Sequence, residues 1–198
     1  MQTPLHLGSA LPVHAAADDR AVIDFKAPFL FAYTSWENKV RTENGVALLR
    51  GEGVTGQGGV GVNVNLDLSA MVDKIPALRV RVGANNKVPQ LNLRLIDSKD
   101  AQSVWEFVLP VPGADWVTIT PKDGASFSGP NSREKGTLDL SKIIQSQLQG
   151  DWNAGAMDVE VNAVMATAPT PELLQTRQAK ADRERQERER IARTSFAN

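Results

Sequence analysis

The 198 residues contain no cysteine and only two histidines, and this composition excludes several kinds of catalytic and metal-binding site. Without cysteine the chain has no disulfide scaffold, no thiolate zinc site and no thiol nucleophile. The two histidines, His6 and His14, precede the region where strand patterns begin. We therefore expect neither a histidine-based catalytic triad nor a histidine metal site in the folded region.

Net charge and long apolar runs are also lacking. A formal charge of −1 gives no general attraction to nucleic acid or to an anionic membrane surface. No run of about 18 apolar residues occurs, so the sequence predicts no transmembrane helix. Neither a nucleic acid nor a membrane is expected as a partner.

Between residues 21 and 168, apolar and polar side chains alternate in short runs. VGVNVNLDL, at residues 60–68, places Val and Leu on one face and Gly, Asn and Asp on the other, and LRVRV at 78–82 and LNLRLID at 91–97 repeat this pattern. Further strand patterns begin with VALLR, VWEFVLP, WVTIT and MDVEVNAVM, and turn residues separate them. Seven or more short strands without a long helix between them predict an all-β fold, an antiparallel β-sandwich (jelly roll).

The segments at the two ends have other compositions. Residues 1–20 contain VHA and AAA, which resemble signal-peptidase cleavage sites, so a leader remnant and a disordered tail are both open interpretations. Residues 169–198 begin with a capping Thr170 followed by Pro171 and then become rich in Arg and Glu. This predicts a charged C-terminal α-helix that serves as a linker to a further domain. No apolar heptad runs through it, so we expect no coiled coil.

One four-residue phrase, LDLS, occurs twice, at residues 66–69 and 138–141. In each copy a strand pattern meets a serine that is able to cap a following helical turn, AMVDKI in one case and KIIQSQL in the other. The flanking sequences do not match, so a duplicated repeat is disfavoured. We interpret both copies as structural corners between a strand and a turn.

Six segments occur in a characteristic order over residues 21–166: IDF, NLDLSAMVDKIPALRVRVGANN, LNLRLIDSKDAQSVWEFVLP, DWVTIT, LDLSKI and MDVEVNAVMA. This order resembles the galactose-binding-like β-jelly-roll modules found beside the catalytic domains of secreted bacterial polysaccharide-acting enzymes. The resemblance implies a secreted or periplasmic, monomeric, non-catalytic module that binds a polysaccharide or oligosaccharide and precedes a downstream catalytic domain. The alternative is a structural domain that docks on that catalytic domain and has no ligand of its own.

Planar polar side chains provide the first candidate binding residues. Arg79, Arg81, Asn92 and Arg94 alternate to one side of strands that we expect to be neighbours. Guanidinium and amide groups suit bidentate hydrogen bonds to sugar hydroxyls or to uronate and sulfate groups. The simpler interpretation is a solvated face with cross-strand ion pairs such as Arg94 with Glu106.

Aromatic side chains are the second candidates, because sugar rings stack on them, yet only 6% of the chain is aromatic. Tyr33, Trp36 and Trp152 lie in loop-like contexts and are the predicted stacking residues. Trp105 and Trp116 lie in strand patterns, and we expect both to pack in the core.

The resemblance also implies a structural calcium ion near the ends of the domain. Asp24, Glu52 and Asp158 are its candidate ligands by position, since calcium takes oxygen ligands. Asp97 and Asp100 in IDSKDAQ have suitable oxygen atoms as well, but we interpret them as ordinary turn residues.

Overall fold

Two antiparallel sheets packed face to face make up the protein in the computed structural model, which describes residues 21–26, 31–34, 40–51, 57–71, 74–121, 138–151, 155–169 and 171–195. The predicted all-β sandwich with a C-terminal helix is confirmed. Successive strands cross repeatedly from one sheet to the other, so that residues far apart in sequence lie side by side.

The first sheet is built around the longest strand of the chain. Its strands are β1 (Ala21–Asp24), β3 (Val40–Glu43), β4 (Val46–Gly51), β6 (Ile75–Val82), β9 (Val117–Ile119) and β11 (Met157–Thr167). The strand order is β3-β4-β11-β6-β9, and β1 pairs with β11 beyond the end of β4. Strand β11 is therefore central, with β6 on one side and β4 and β1 on the other.

The second sheet has five strands in the order β2-β5-β10-β7-β8. They are β2 (Phe31–Thr34), β5 (Gln57–Leu66), β7 (Gln90–Asp97), β8 (Gln102–Val108) and β10 (Ile143–Asp151). The segment KIIQSQL, which the sequence predicts to be a helical turn, forms part of β10, so that prediction is wrong. A bulge between Ile143 and Gln145 interrupts the alternation there, which hides the strand in the sequence.

The core lies between the inward faces of the two sheets. Leu49, Val80 and Val161 of the first sheet and Leu93 and Phe107 of the second are each 0% exposed. Burying such a side chain stabilises the fold by about 1.5–3 kcal/mol. Trp105 is buried in this core, as the sequence predicts.

The two LDLS phrases form corners that touch each other. Each leads into a single 3-10 turn, Ser69–Met71 in one case and Leu140–Lys142 in the other, and the backbone N–H of Leu68 donates to the carbonyl oxygen of Leu140 at 2.7 Å. The structural interpretation is confirmed, but the predicted capping group is wrong. In each corner the aspartate accepts hydrogen bonds from the serine N–H and hydroxyl, so the carboxylate is the cap.

A buried carboxylate ties the second corner to the turn between β7 and β8. Asp97 is 0% exposed and accepts from the backbone N–H groups of Lys99 at 2.8 Å, Ala101 at 2.9 Å and Asp139 at 2.9 Å. Its assignment as a turn residue is confirmed. Because one side chain pairs three backbone donors from two segments, it joins the hairpin to the corner.

The C-terminal helix α1 (Pro171–Ser195) carries mostly exposed residues where its side chains are described. Arg190 and Glu187 form an ion pair along it, as do Arg185 and Asp182. In the described parts of the chain, no helix combines the length and the apolar character needed to cross a membrane.

Replacing Asp97 with alanine should lower the free energy of unfolding by about 3 kcal/mol, because buried N–H donors would lose their acceptor. Urea denaturation measures this difference. Lys99→Ala is the matched control in the same turn and should change stability by less than about 0.5 kcal/mol, since its side chain is exposed. Equal stability of the two variants would contradict the joining role of Asp97.

Acidification should destabilise the fold in part by protonating Asp67 and Asp139, the aspartates of the two LDLS corners. Hydrogen bonds from the hydroxyl and N–H of Ser69 and Ser141 hold the pKa of Asp67 and Asp139 below its ordinary value. The two ionised carboxylates contribute fully to the free energy of unfolding above the ordinary aspartate pKa of about 3.9. This contribution is lost as the pH falls from that value through the lower pKa of the folded state. In urea denaturation at neutral and acidic pH, Asp67→Asn with Asp139→Asn should lose less stability on acidification than the unchanged protein. Identical losses would count against this assignment.

Candidate functional site

A cleft of about 520 Å³ opens on the outer face of the first sheet. Its polar lining comes from β4, β6 and β11, and its remaining walls come from the segments that follow β6 and precede β9. The lining residues are Arg50, Arg81, Val82, Gly83, Ala84, Pro112, Gly113, Ala114, Asp158 and Glu160. The volume lies in the range of small-molecule sites.

Glu160 is the centre of the cleft's charge network. It lies on β11 directly opposite Arg81 of β6, and its side chain is only 9% exposed. Its carboxylate accepts from Arg50 Nη2 and Arg81 Nη2, and from Arg81 Nε at 2.8 Å. A carboxylate this deeply buried needs such partners, because an unpaired charge at this depth is strongly destabilising.

Asp158 is the second carboxylate of the cleft and is more accessible. It lies opposite Arg50 on the β4–β11 pair, with 3.3 Å between Arg50 Nε and Asp158 Oδ1, and its side chain is 22% exposed. The Asp158 backbone N–H donates to Asn86 Oδ1 at 3.2 Å. Asp158 therefore presents acceptor oxygens to the cleft from a fixed backbone position.

Trp116 supplies an aromatic surface next to this network. The Arg81 Cζ atom lies 4.9 Å from the centroid of the Trp116 ring, a cation–π arrangement. Trp116 is half-buried, so its predicted place in the core is wrong. Trp116 directly precedes β9 and lies on the same side of this segment as Thr118. Thr118 is paired with Arg79, which lies on the outer face of the first sheet.

Backbone hydrogen bonds hold the cleft walls against the strands. Gly113 N–H donates to the carbonyl oxygen of Val82 at 2.9 Å, and Gly83 N–H donates to that of Asp158 at 2.8 Å. Gly83 also has no room for a side chain, since a Cβ atom there would lie 1.9 Å from Asp158 Oδ2. The absence of a side chain at Gly83 thus allows the Asp158 carboxylate to lie where it does.

The outer face of the second sheet is polar in a different way. Gln145, Gln147 and Gln149 form a line of amides along β10, in which Gln149 Nε2 donates to Gln147 Oε1 at 3.1 Å and Gln147 Nε2 donates to Gln145 Oε1. On the adjacent β7, Arg94 Nη2 donates to Gln102 Oε1 of β8. Asn92 Oδ1 and Arg94 Nε are buried and have no partner among the described residues. We call this surface the amide face.

The predicted grouping of four planar side chains on neighbouring strands is wrong. Arg79 and Arg81 lie on β6 in the first sheet, whereas Asn92 and Arg94 lie on β7 in the second. The chain crosses between sheets after Val82, so the two pairs lie on opposite outer faces. The expected partner of Arg94 is also wrong, because Arg94 lies opposite Val104, and Glu106 lies opposite Asn92.

The predicted stacking residues fall largely beyond what the structure describes. Trp36 and Trp152 lie outside the described residues. Tyr33 belongs to β2, where its backbone lies opposite Gly59 of β5. The predicted stacking roles of these three residues therefore stay predictions.

Two of the three predicted calcium ligands, Asp24 and Asp158, lie apart on the first sheet. Asp24 pairs in register with Ala163, five residues along β11 from Asp158, which is a separation of about 17 Å at strand spacing. Lys26 holds the pKa of Asp24 below its ordinary value, chiefly through its backbone N–H, and Arg50 contacts Asp158. Glu52 lies outside the described residues. Among those described, no three His, Cys, Asp or Glu side chains are grouped to hold a metal, and cationic side chains already contact both aspartates.

The sequence did not predict that Arg50, Glu160 and, beside them, Trp116 lie near one another. Alternation in MDVEVNAVM does place Glu160 on the polar side of its strand, whereas VALLRG has apolar residues at the two positions that share a face with Arg50. Nothing in either segment shows that β4 and β11 are neighbours, because 110 positions separate Arg50 from Glu160. Their pairing follows from the strand order alone.

Gly83→Ala should destabilise the protein by about 1–3 kcal/mol, because the new methyl group would overlap the Asp158 carboxylate. The control is Gly113→Ala in the opposite wall, where the nearest atom to a new Cβ is the carbonyl oxygen of Val111 at 4.0 Å. Thermal or urea unfolding of both variants provides the comparison. If the two substitutions have equal effects, Asp158 does not require the missing side chain.

Three solved structures are similar to this chain. An agarase, AgWH50C, matches with a TM-score of 0.46 and 14% identity over 77% of this chain. PfGH50B matches with 0.47 and 14% over 66%, and an exo-β-agarase with 0.44 and 12% over 79%. The chain spans between 21% and 25% of the length of these proteins. No protein-family model matches the chain, and no curated protein matches it either.

Proposed function

We propose that the chain is a non-catalytic carbohydrate-binding module of a larger glycan-acting protein, and that the cleft is its binding site. The observation that carries the proposal is an accessible Asp158 in a recess whose Arg81 also stacks on the adjacent Trp116 ring. The planar groups offer a surface for a sugar ring, while guanidinium N–H groups and carboxylate oxygens suit its hydroxyls.

The carboxylates of the cleft are poorly arranged for glycoside hydrolysis. Such hydrolysis uses two carboxyl groups, one as an acid and the other as a base or nucleophile. Both oxygens of Glu160 are engaged by Arg50 and Arg81, so neither is presented to a sugar. Asp158 is then the one accessible carboxylate of the described lining, which supports binding without catalysis.

A second candidate function is docking on a neighbouring domain. Val111 is 87% exposed beside the cleft wall, and Val108 and Val117 on the flanking strands are 54% and 41% exposed. Exposed apolar side chains become a surface that a partner covers where they lie together in space, so this function requires Val108, Val111 and Val117 to form one patch. Under this function the isolated protein binds no saccharide, and Val111 and its neighbours contact the rest of the larger protein.

Trp116→Ala should weaken saccharide binding by about three- to tenfold, because it removes the aromatic ring on which Arg81 stacks beside the cleft. Affinity electrophoresis and calorimetry with a panel of neutral and acidic polysaccharides measure the loss. Val117→Ala is the control, since it shortens an exposed apolar side chain on the next residue and leaves the Arg81–Trp116 contact in place. Absence of binding to every polysaccharide in the panel would exclude the carbohydrate-binding function and leave docking.

A further inference from the structure

The charges of the cleft balance one another. Its described lining contains two cationic side chains, Arg50 and Arg81, and two anionic ones, Asp158 and Glu160, and the remaining lining residues are uncharged. Each arginine contacts a carboxylate. The cleft therefore presents paired charges to a ligand, with no surplus positive charge.

The two guanidinium groups still have hydrogen-bonding capacity. A guanidinium carries five N–H donors, and the contacts with Glu160 and Asp158 use Nε and Nη2 of each arginine. None of the contacts among the described residues uses Nη1 of Arg50 or Arg81. These donors suit the hydroxyl oxygens of a sugar, which accept hydrogen bonds without bringing a charge.

The Asp158 carboxylate would lie beside any anionic ligand group that entered the cleft. This carboxylate is the more exposed of the two, and its position is fixed between Arg50 and the backbone at Gly83. A uronate or sulfate that approached Arg50 would lie within a few ångströms of this carboxylate. Like charges at such a separation repel strongly in a partly buried site, whereas a hydroxyl group donates to the same oxygens.

We infer that the cleft selects uncharged saccharides over those bearing uronate or sulfate groups, and that Asp158 is the residue that excludes the anion. This inference rests on the proposed carbohydrate-binding function of the cleft. It also revises the sequence-based view of Arg81, for which uronate and sulfate were among the expected ligands. The reason is that Glu160 already neutralises the Arg81 guanidinium.

The test compares a neutral galactan with its chemically sulfated form, using the whole chain and calorimetry. The unchanged protein should bind the neutral form at least about tenfold more tightly. Asp158→Asn removes the negative charge and keeps an acceptor oxygen, so it should strengthen binding of the sulfated form. The ratio of the affinities for the neutral and the sulfated galactan should then fall at least about fivefold. Glu43→Gln, which removes an exposed carboxylate from β3, should leave the preference unchanged.

A second measurement needs no variant. Binding of the neutral galactan should change less than about twofold between low and high salt, because no ion pair forms between ligand and protein. Equal or tighter binding of the sulfated form by the unchanged protein would overturn the inference while leaving the binding function intact. If neither galactan binds and no other saccharide of the panel does, the proposed function itself is wrong and the inference falls with it.

Discussion

The nearly buried charge of Glu160 sets the arrangement of the whole outer surface of the first sheet. An ionised carboxylate with a side-chain exposure of 9% is tolerated only where partners replace the lost water, and Arg50 and Arg81 do so from the strands on either side. The position of Arg81 in turn determines where the Trp116 ring lies, because the guanidinium stacks on it. The compensation of one carboxylate thus brings together the charged side chains of the cleft.

Hydrogen bonds at the corners of the sandwich fix how the ends of its strands meet. The core packs the two sheets together but is non-directional, so it does not by itself fix how strand ends meet. Asp97 provides directional contacts, since it bonds backbone N–H groups of its own turn and of the second LDLS corner. The hydrogen bond from Leu68 to Leu140 then joins that corner to the first one. The repeated phrase is therefore explained by two similar turns that must contact each other.

Much of the fold was predictable from alternation, and the failures have definite physical causes. The strands β5, β6, β7 and β8, and β11 as far as Val161, keep a period of two, which indicates directly that one face is buried. In β10 the bulge near Ile143 breaks that period, and the glutamines that follow are compatible with a helix. Trp116 was misplaced although WVTIT itself puts it on the side of Thr118, because large aromatics are usually buried. Here alternation was the better guide than residue type.

Sequence patterns predict the face of a strand on which a residue lies, but they do not predict which strand lies beside it. For this reason the predicted binding residues were not found together. Arg79, Arg81, Asn92 and Arg94 were each correctly placed on polar faces, yet consecutive strands were assumed to be neighbours, as they most often are. The crossing after Val82 separates them into two surfaces that look in opposite directions.

Those two surfaces nevertheless share one chemical property. On the first, Arg50 and Arg81 are matched by Asp158 and Glu160, and on the second the amide face presents a line of glutamines with uncharged donors and acceptors. Ligands with many hydroxyl groups gain from dense hydrogen-bonding groups, whereas polyanions need a surplus of positive charge, which the described lining of the cleft does not supply. Both outer surfaces therefore present dense hydrogen-bonding groups, which is the property that the proposed binding of a hydroxyl-rich ligand requires.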